Sequence, residues 1–268
     1  MGWKIKQHKF GLSFVRFLAV ARVKYYLLLI TCYILFFCLS AFSQTSENNI
    51  DYGNQQWVQY YSRIDLGKNF TLLNDASLRV KESFSQLALV LVRSGLAYSI
   101  NENISVAGGA CVTFAFTDNN ASRMELRGWE ELLFPLRSGR FYFSNRLRME
   151  QRYFRTMSDG SIASGNSYFN RLRYRLYVTI PLNHKTMSPR TIALNVGDEV
   201  MVNFGRQVKY NAFDTNRFLA GLSYQFNEQW LLSLNYMLQL SHPNVPLSFE
   251  ESNIVWLQVT HRINKLEP

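Results

Sequence analysis

The feature that most constrains this chain is an alternating charged segment that occurs twice. The first copy reads Asn145-Arg146-Leu147-Arg148 and continues to Tyr153, and its first four residues recur at 170–173. In both copies charged residues occupy every second position and apolar residues lie between them. Successive side chains of a β-strand point to opposite faces, so both copies are predicted to be strands with one charged and one apolar face.

Two-faced strands of this kind fit two classes of protein. In a soluble antiparallel sheet the apolar face meets the core and the polar face meets water. In a transmembrane barrel the apolar face meets lipid and the polar face meets the lumen. The rest of the sequence has to decide between these classes.

The N-terminus has the pattern of a secretory signal. The segment 25–42 is strongly apolar, six basic residues and no acidic ones precede it, and Ala41-Phe42-Ser43 supplies small residues for a peptidase. The sequence therefore predicts a signal peptide over residues 1–43, removed before Gln44. The alternative is an uncleaved anchor helix, because the apolar run is long enough to span a membrane.

Composition excludes several classes of site. Removing residues 1–43 leaves 23 basic and 19 acidic residues, so a net charge of +4 replaces the +10 of the whole chain. This modest charge gives no argument for nucleic-acid binding. Only Cys111 remains of three cysteines, and His184, His242 and His261 lack ligand spacing, so neither a disulfide framework nor a metal or cofactor site is predicted.

After the signal, eleven strand-like runs follow one another from Trp57 to Ile263, with Gly108-Gly109 as an expected bend or bulge. Short turns alternate with longer loops, which are expected at 118–123, 155–166, 204–216 and 241–252. This alternation is typical of an outer-membrane barrel. Because such antiparallel barrels have an even number of strands, we expect either a further strand or the run Trp57–Leu66 outside the barrel.

The predicted fold is therefore all-β: a single antiparallel up-and-down transmembrane β-barrel of 10–12 strands after a cleaved signal. The domain organisation is a signal at 1–43, a short polar segment at 44–54 and the barrel at 55–264. The expected location is the outer membrane. The expected partners are outer-membrane lipid and the barrel assembly machinery, while the oligomeric state is left open.

Several passages, in this order along the chain, resemble one known family. They are Glu125-Leu126-Arg127-Gly128-Trp129, the two charged copies, Gly197-Asp198-Glu199-Val200-Met201-Val202-Asn203-Phe204, Phe213-Asp214-Thr215-Asn216-Arg217 and Gly221-Leu222-Ser223-Tyr224-Gln225-Phe226. Over about residues 55–263 the chain resembles an uncharacterised family of Gram-negative barrel proteins, DUF2490. The resemblance implies an outer-membrane β-barrel and no particular activity, since a fold does not supply a function.

The charged faces of the predicted strands define a candidate site inside the barrel. This charge ladder is Arg127, Glu131, Arg146, Arg148, Glu150, Arg152, Arg171, Arg173, Arg175, Glu199 and Arg217. Barrels of this size are narrow, and long inward side chains can fill them. The favoured interpretation is a closed structural or interaction barrel with an Arg/Glu-filled lumen.

Three other interpretations remain open. The surplus of arginine over glutamate would suit a small pore or transporter that favours anions. A membrane-embedded lipid hydrolase would need a nucleophile beside a base, for which the adjacent Ser241-His242 is the nearest approach. A soluble periplasmic β-sandwich would keep the strands but would not need their length.

Overall fold

The structure is a computed structural model that describes residues 49–158 and 160–264; the predicted signal peptide lies outside these residues. The described residues form eleven strands, which close into one barrel. The strands are β1 Asn49–Gly67, β2 Phe70–Lys81, β3 Gln86–Asn101, β4 Ile104–Thr117, β5 Asn120–Ser138, β6 Phe141–Ser158, β7 Ser161–Pro181, β8 Thr191–Phe204, β9 Phe213–Gln225, β10 Trp230–Ser241 and β11 Ser248–Ile263. β1 begins at Asn49, within the short polar segment that was predicted at 44–54.

No helix in the described part of the chain is long and apolar enough to cross a membrane.

The closure of the barrel corrects the predicted topology. Consecutive strands pair antiparallel, but β1 and β11 pair in parallel, from Asn49 with Ser248 to Ile64 with Ile263. In a meander of eleven strands the first and last run in the same direction, so their pairing can only be parallel. The purely antiparallel barrel was therefore wrong, and neither a missing strand nor an excluded run is needed.

The connections also differ from the prediction. Residues expected in the loops at 118–123 and 155–166 are mostly strand, since β5 begins at Asn120, β6 ends at Ser158 and β7 begins at Ser161. Near this last turn Ser158 pairs with Ser161, and Gly160 takes a φ of +72°, a conformation that two-residue hairpin turns require. Short turns occur at both rims of the barrel, so connection length does not distinguish them.

Gly108-Gly109 forms no bulge, because the pairing of β4 with both neighbours is unbroken there. On the inner face Gly109 pairs with Gly95, and a Cβ on Gly95 would lie 2.3 Å from Cζ2 of Trp129. Gly95 therefore leaves room for the indole, which is buried against Leu91 and Cys111, while Gly109 allows the close approach of the β3 backbone.

The outer wall of the barrel is apolar over most of its surface. Large apolar side chains are exposed on every strand, including Leu96, Leu147, Leu172, Leu222 and Val255. Aromatic residues lie at or near strand ends, among them Phe70, Phe141, Phe204 and Trp230. Soluble monomers rarely expose a continuous apolar surface of this extent.

The inner wall divides into two sectors. Along β9, β10, β11 and β1 it is mostly uncharged: polar residues such as Gln59, Ser233 and Asn235 adjoin a buried apolar cluster of Trp57, Leu219, Met237, Ile254 and Trp256. We call the part around this cluster the apolar sector. Along β5 to β8 the buried side chains are mainly arginines and glutamates, and we call this the charged sector.

Candidate functional site

The charge ladder lies largely in the charged sector. The structure buries Arg127, Arg146, Arg148, Glu150, Arg152, Arg171, Arg173 and Glu199, and it buries Glu131, Arg175 and Arg217 in part. Alternation along β5 to β8 brings these side chains to one face, and barrel closure directs that face inward.

Glu150 on β6 is the centre of the network. Its side chain is 0% exposed. Its carboxylate lies 2.6 Å from Arg171 Nη2, 2.8 Å from Arg173 Nη1, 3.4 Å from Arg127 Nη1 and 3.9 Å from Arg148 Nη1. One buried carboxylate therefore holds guanidinium groups from three strands.

Glu199 on β8 is a second shared acceptor. Arg146 Nη2 lies 2.6 Å from its Oε1, and Arg173 Nη2 lies 2.8 Å from its Oε2. Arg217 Nη1 approaches the same carboxylate at 3.6 Å. Because Arg173 contacts both Glu199 and Glu150, it links the two carboxylates into one network.

Two glutamates of β5 complete the network on its other side. Glu125 accepts from Arg152 Nε at 2.6 Å and from Arg127 Nε at 2.9 Å. Glu131 accepts from Arg148, with Nη2 at 2.5 Å. Charge-assisted bonds of this kind are short and among the strongest that proteins form.

A bulge adds one more carboxylate. The register of β8 with β9 shifts between Met201 and Val202, opposite Asp214. Asp214 Oδ2 lies 2.7 Å from Arg171 Nη1, and its Oδ1 accepts from Asn203 Nδ2 at 2.8 Å. A bulge re-aims a side chain relative to strict alternation, and here it supplies the network with an acceptor.

Direct cross-strand neighbours in the charged sector often carry like charge. The paired positions are Arg127 with Arg152, Arg146 with Arg175, and Arg148 with Arg173. Like charges directly opposite one another destabilise a sheet. The carboxylates relieve this repulsion by reaching arginines on more than one strand, as Glu150 and Glu199 do.

Among the interior arginines that are not exposed, two form no ion pair with a carboxylate of the described residues, Arg79 and Arg175. The guanidinium carbon of Arg79 lies 3.7 Å from the centroid of the Trp57 ring, and that of Arg175 lies 4.4 Å from the centroid of the Tyr177 ring. The Nε atom of each is buried without an acceptor. Cation–π contact thus takes the place of an ion pair at both positions.

Two cavities adjoin the network. One cavity, about 310 Å³, extends towards the rim that carries the β1–β2 turn and is lined by Arg63, Leu133 and Thr260, among others. The central cavity, about 140 Å³, reaches from Trp57 towards Arg123 near the opposite rim. Arg175 lines both cavities, whereas Arg79 lines the central one.

The three histidines have other partners. His184 Nδ1 lies 2.9 Å from Thr191 Oγ1 in the β7–β8 turn. His261 stacks on Trp230 with ring centroids 3.8 Å apart, and His242 stacks on Phe249 at 4.6 Å. In the described part of the chain no hydrogen bond joins Ser241 to His242, so the geometry offers no nucleophile–base pair at this position.

Sequence reasoning missed several charged interior residues, among them Asp75, Arg79, Arg93 and Asp214. The salt bridge between Arg93 and Asp75 is buried. Alternation was visible in β2, where Asp75, Ser77 and Arg79 are separated by Ala76 and Leu78, but it is shorter than in β6 and β7. Arg93 lies in a run that is apolar on both faces, and Asp214 follows a bulge that no local pattern indicates.

The grouping of His, Cys, Asp and Glu gives no metal centre: within 49–158 and 160–264, no cluster of three or more is placed to hold a metal ion.

Comparison with known proteins agrees with the architecture. A family model described as a protein of unknown function, DUF2490, matches residues 54–246, from within β1 through β10 and into the loop after it. This span contains every carboxylate of the network. No curated protein matches the chain. The match confirms the resemblance seen in the sequence, and the chain belongs to the DUF2490 family.

Proposed function

We propose that this protein is an outer-membrane β-barrel whose lumen is sealed by its Arg/Glu network, and that it acts as a closed structural or interaction barrel. The observation that carries the proposal is Glu150, a fully buried carboxylate surrounded by four arginines. Groups that bridge three strands at such short distances occupy the lumen between the two cavities, where a pore would keep hydrated side chains.

The membrane location is supported by the outer wall. A closed barrel leaves no strand edge unpaired, which is the condition for β-structure to cross lipid. The apolar side chains that cover its exterior and the aromatic residues near its rims match the lipid-facing band and girdles of such barrels. Outer-membrane lipid and the barrel assembly machinery are the partners this implies.

Targeting has its own test. We expect a mature protein that begins near Gln44 and fractionates with the outer membrane, as the basic, apolar and small-residue order of 1–43 predicts. Mass spectrometry of the N-terminus, combined with membrane fractionation, measures both. An intact Met1 on a protein in the inner membrane would contradict the proposal.

The sealed lumen is tested by recording from purified protein in a planar bilayer under a salt gradient. We expect wild-type protein to be silent while its insertion is verified by protection from protease. Steady anion-selective conductance that weakens when Arg171 and Arg173 are replaced by serine would overturn the proposal.

Anion-selective conductance would establish the other candidate, a small anion-favouring pore. The observation that favours it is the surplus of interior arginine, including the unpaired Arg79 and Arg175. Rings of arginine select anions in known channels. The bilayer experiment separates the candidates because it measures conductance and ion selectivity together.

A further inference from the structure

The central cavity contains more positive charge than the protein balances. Its lining residues include ten arginines and three carboxylates. Glu131, Glu150 and Asp214 pair with some of these arginines from outside the lining, which still leaves ten arginines for six carboxylates. Each of the three lining carboxylates already has an arginine partner, and Glu199 has three. A surplus of guanidinium groups therefore lies around a small interior space.

Arg79 is the clearest part of this surplus. It has no carboxylate partner in the described residues, and its Nε atom is buried without an acceptor. Its guanidinium carbon lies 3.7 Å from the centroid of the Trp57 ring, and the guanidinium carbon of Arg217 lies 5.1 Å from the same centroid. Two cations therefore share the surroundings of one ring, an arrangement that negative charge nearby would stabilise.

Arg175 is the second part. It pairs in register with Arg146 on one side and with Glu199 on the other. Among the described residues the ion pairs of Glu199 are with Arg146, Arg173 and Arg217, so Arg175 forms none with this carboxylate. Its Nε atom is also buried without an acceptor.

We propose that the central cavity binds a small, doubly charged oxyanion of the phosphate or sulfate class, held by Arg79 and Arg175. The forked guanidinium group matches the oxygens of such ions in a way that lysine does not. A cavity of about 140 Å³ has room for a small ion together with water. This site depends on the inward arrangement of the arginines and not on whether the lumen conducts.

Calorimetric titration of the refolded full-length mature barrel tests the site. The protein is kept in detergent, in a buffer that contains a large organic anion. It is titrated with inorganic phosphate at constant ionic strength. We expect saturable binding of one phosphate per barrel, with sulfate competing and chloride binding more weakly. Arg79→Gln and Arg175→Gln should each weaken phosphate binding by about tenfold or more, since a hydrogen bond to a charged group contributes about 1.5–3 kcal/mol.

Two further variants make the result specific. Arg206→Gln makes the same charge change on an exposed residue of the β8–β9 connection and should leave phosphate affinity unchanged. Arg79→Lys keeps the charge and should retain part of the binding that Arg79→Gln loses. Heat-dependent mobility in gels verifies that each variant forms a barrel, and if Arg79→Gln does not, Arg175→Gln decides.

Absence of saturable phosphate or sulfate binding to folded wild-type protein would overturn the proposal. Equal weakening in Arg206→Gln and Arg175→Gln would also overturn it, because the effect would then follow net charge alone. Conductance is not measured here, so this failure is distinct from failure of the sealed lumen.

Discussion

The two interior sectors of this barrel are stabilised in different ways. In the charged sector Glu150 and Glu199 bind arginines of β5, β6, β7 and β9, at distances from 2.6 to 3.6 Å. In the apolar sector Leu219, Met237 and Ile254 of β9 to β11 pack with Trp57 and Trp256 in a buried cluster. The first depends on specific partners and the second on volume.

This difference determines how each sector responds to substitution. Removing one carboxylate leaves several buried cations without a partner, and the penalty of an unpaired buried charge exceeds the worth of the lost bond. Removing apolar atoms leaves a cavity, whose cost depends on how far the neighbours relax. The sectors should therefore differ in which substitutions they tolerate.

The largest effect is expected for Glu150→Ala. It removes the shared acceptor of Arg171 and Arg173, and we expect a loss of about 3–5 kcal/mol in the free energy of unfolding. Urea unfolding from lipid vesicles measures it.

The matched control is Glu130→Ala, on the outer face of β5. Glu130 is exposed and accepts one hydrogen bond, from Gln151 Nε2 at 2.9 Å. Its loss should cost no more than about 1.5 kcal/mol. Similar losses at both positions would mean that the interior network contributes nothing beyond a single bond.

Next comes Met237→Ala in the apolar sector, where the side chain is 0% exposed. We expect a loss of about 2–5 kcal/mol because a cavity forms without exposing a charge. Met237→Leu conserves volume and should cost less than about 1.5 kcal/mol. Equal costs for the alanine and leucine variants would contradict packing as the source of stability in this sector.

The sequence predicted the inward-facing side chains better in the charged sector than in the apolar sector. In β6 and β7 charge alternates with apolar residues, so the inward direction of Arg146 and Arg171 follows from period two alone. In β11 the inward Ile254 and Trp256 lie beside the outward Val255, all of them apolar. When both faces are apolar, the period no longer identifies the interior.

The partners of side chains and strands were harder to predict from the sequence than the directions in which side chains point. Strand alternation could not show that Arg146 faces Arg175 in register while Glu199 on another strand accepts from Arg146. The parallel closure was equally hidden, because the pairing of β1 with β11 joins the two ends of the barrel and leaves no local signal.

A smaller effect is expected on the outer wall, where the sectors should not differ. Leu172 lies on the outer face of β7, in the charged sector, and is 41% exposed. Leu222 lies on the outer face of β9, in the apolar sector, and is 52% exposed. Arginine at either position should cost about 2–4 kcal/mol if the position is near the bilayer midplane. Refolding into vesicles at graded denaturant measures both, and negligible losses at both would argue against a lipid-facing wall.

The smallest effect is expected for Arg79→Met, measured without added oxyanion. Arg79 has no carboxylate partner among the described residues, so its removal leaves no charge unpaired. Loss of the contact with Trp57 should cost about 0.5–2 kcal/mol. Relief of a buried, unbalanced cation acts in the opposite direction, and methionine keeps most of the volume. We therefore expect the free energy of unfolding to change by less than about 1 kcal/mol, against several for Glu150→Ala. Urea unfolding of both variants in the same vesicles makes the comparison. A loss as large as that of Glu150→Ala would show that Arg79 belongs to the network, and the boundary of the charged sector would then include β2.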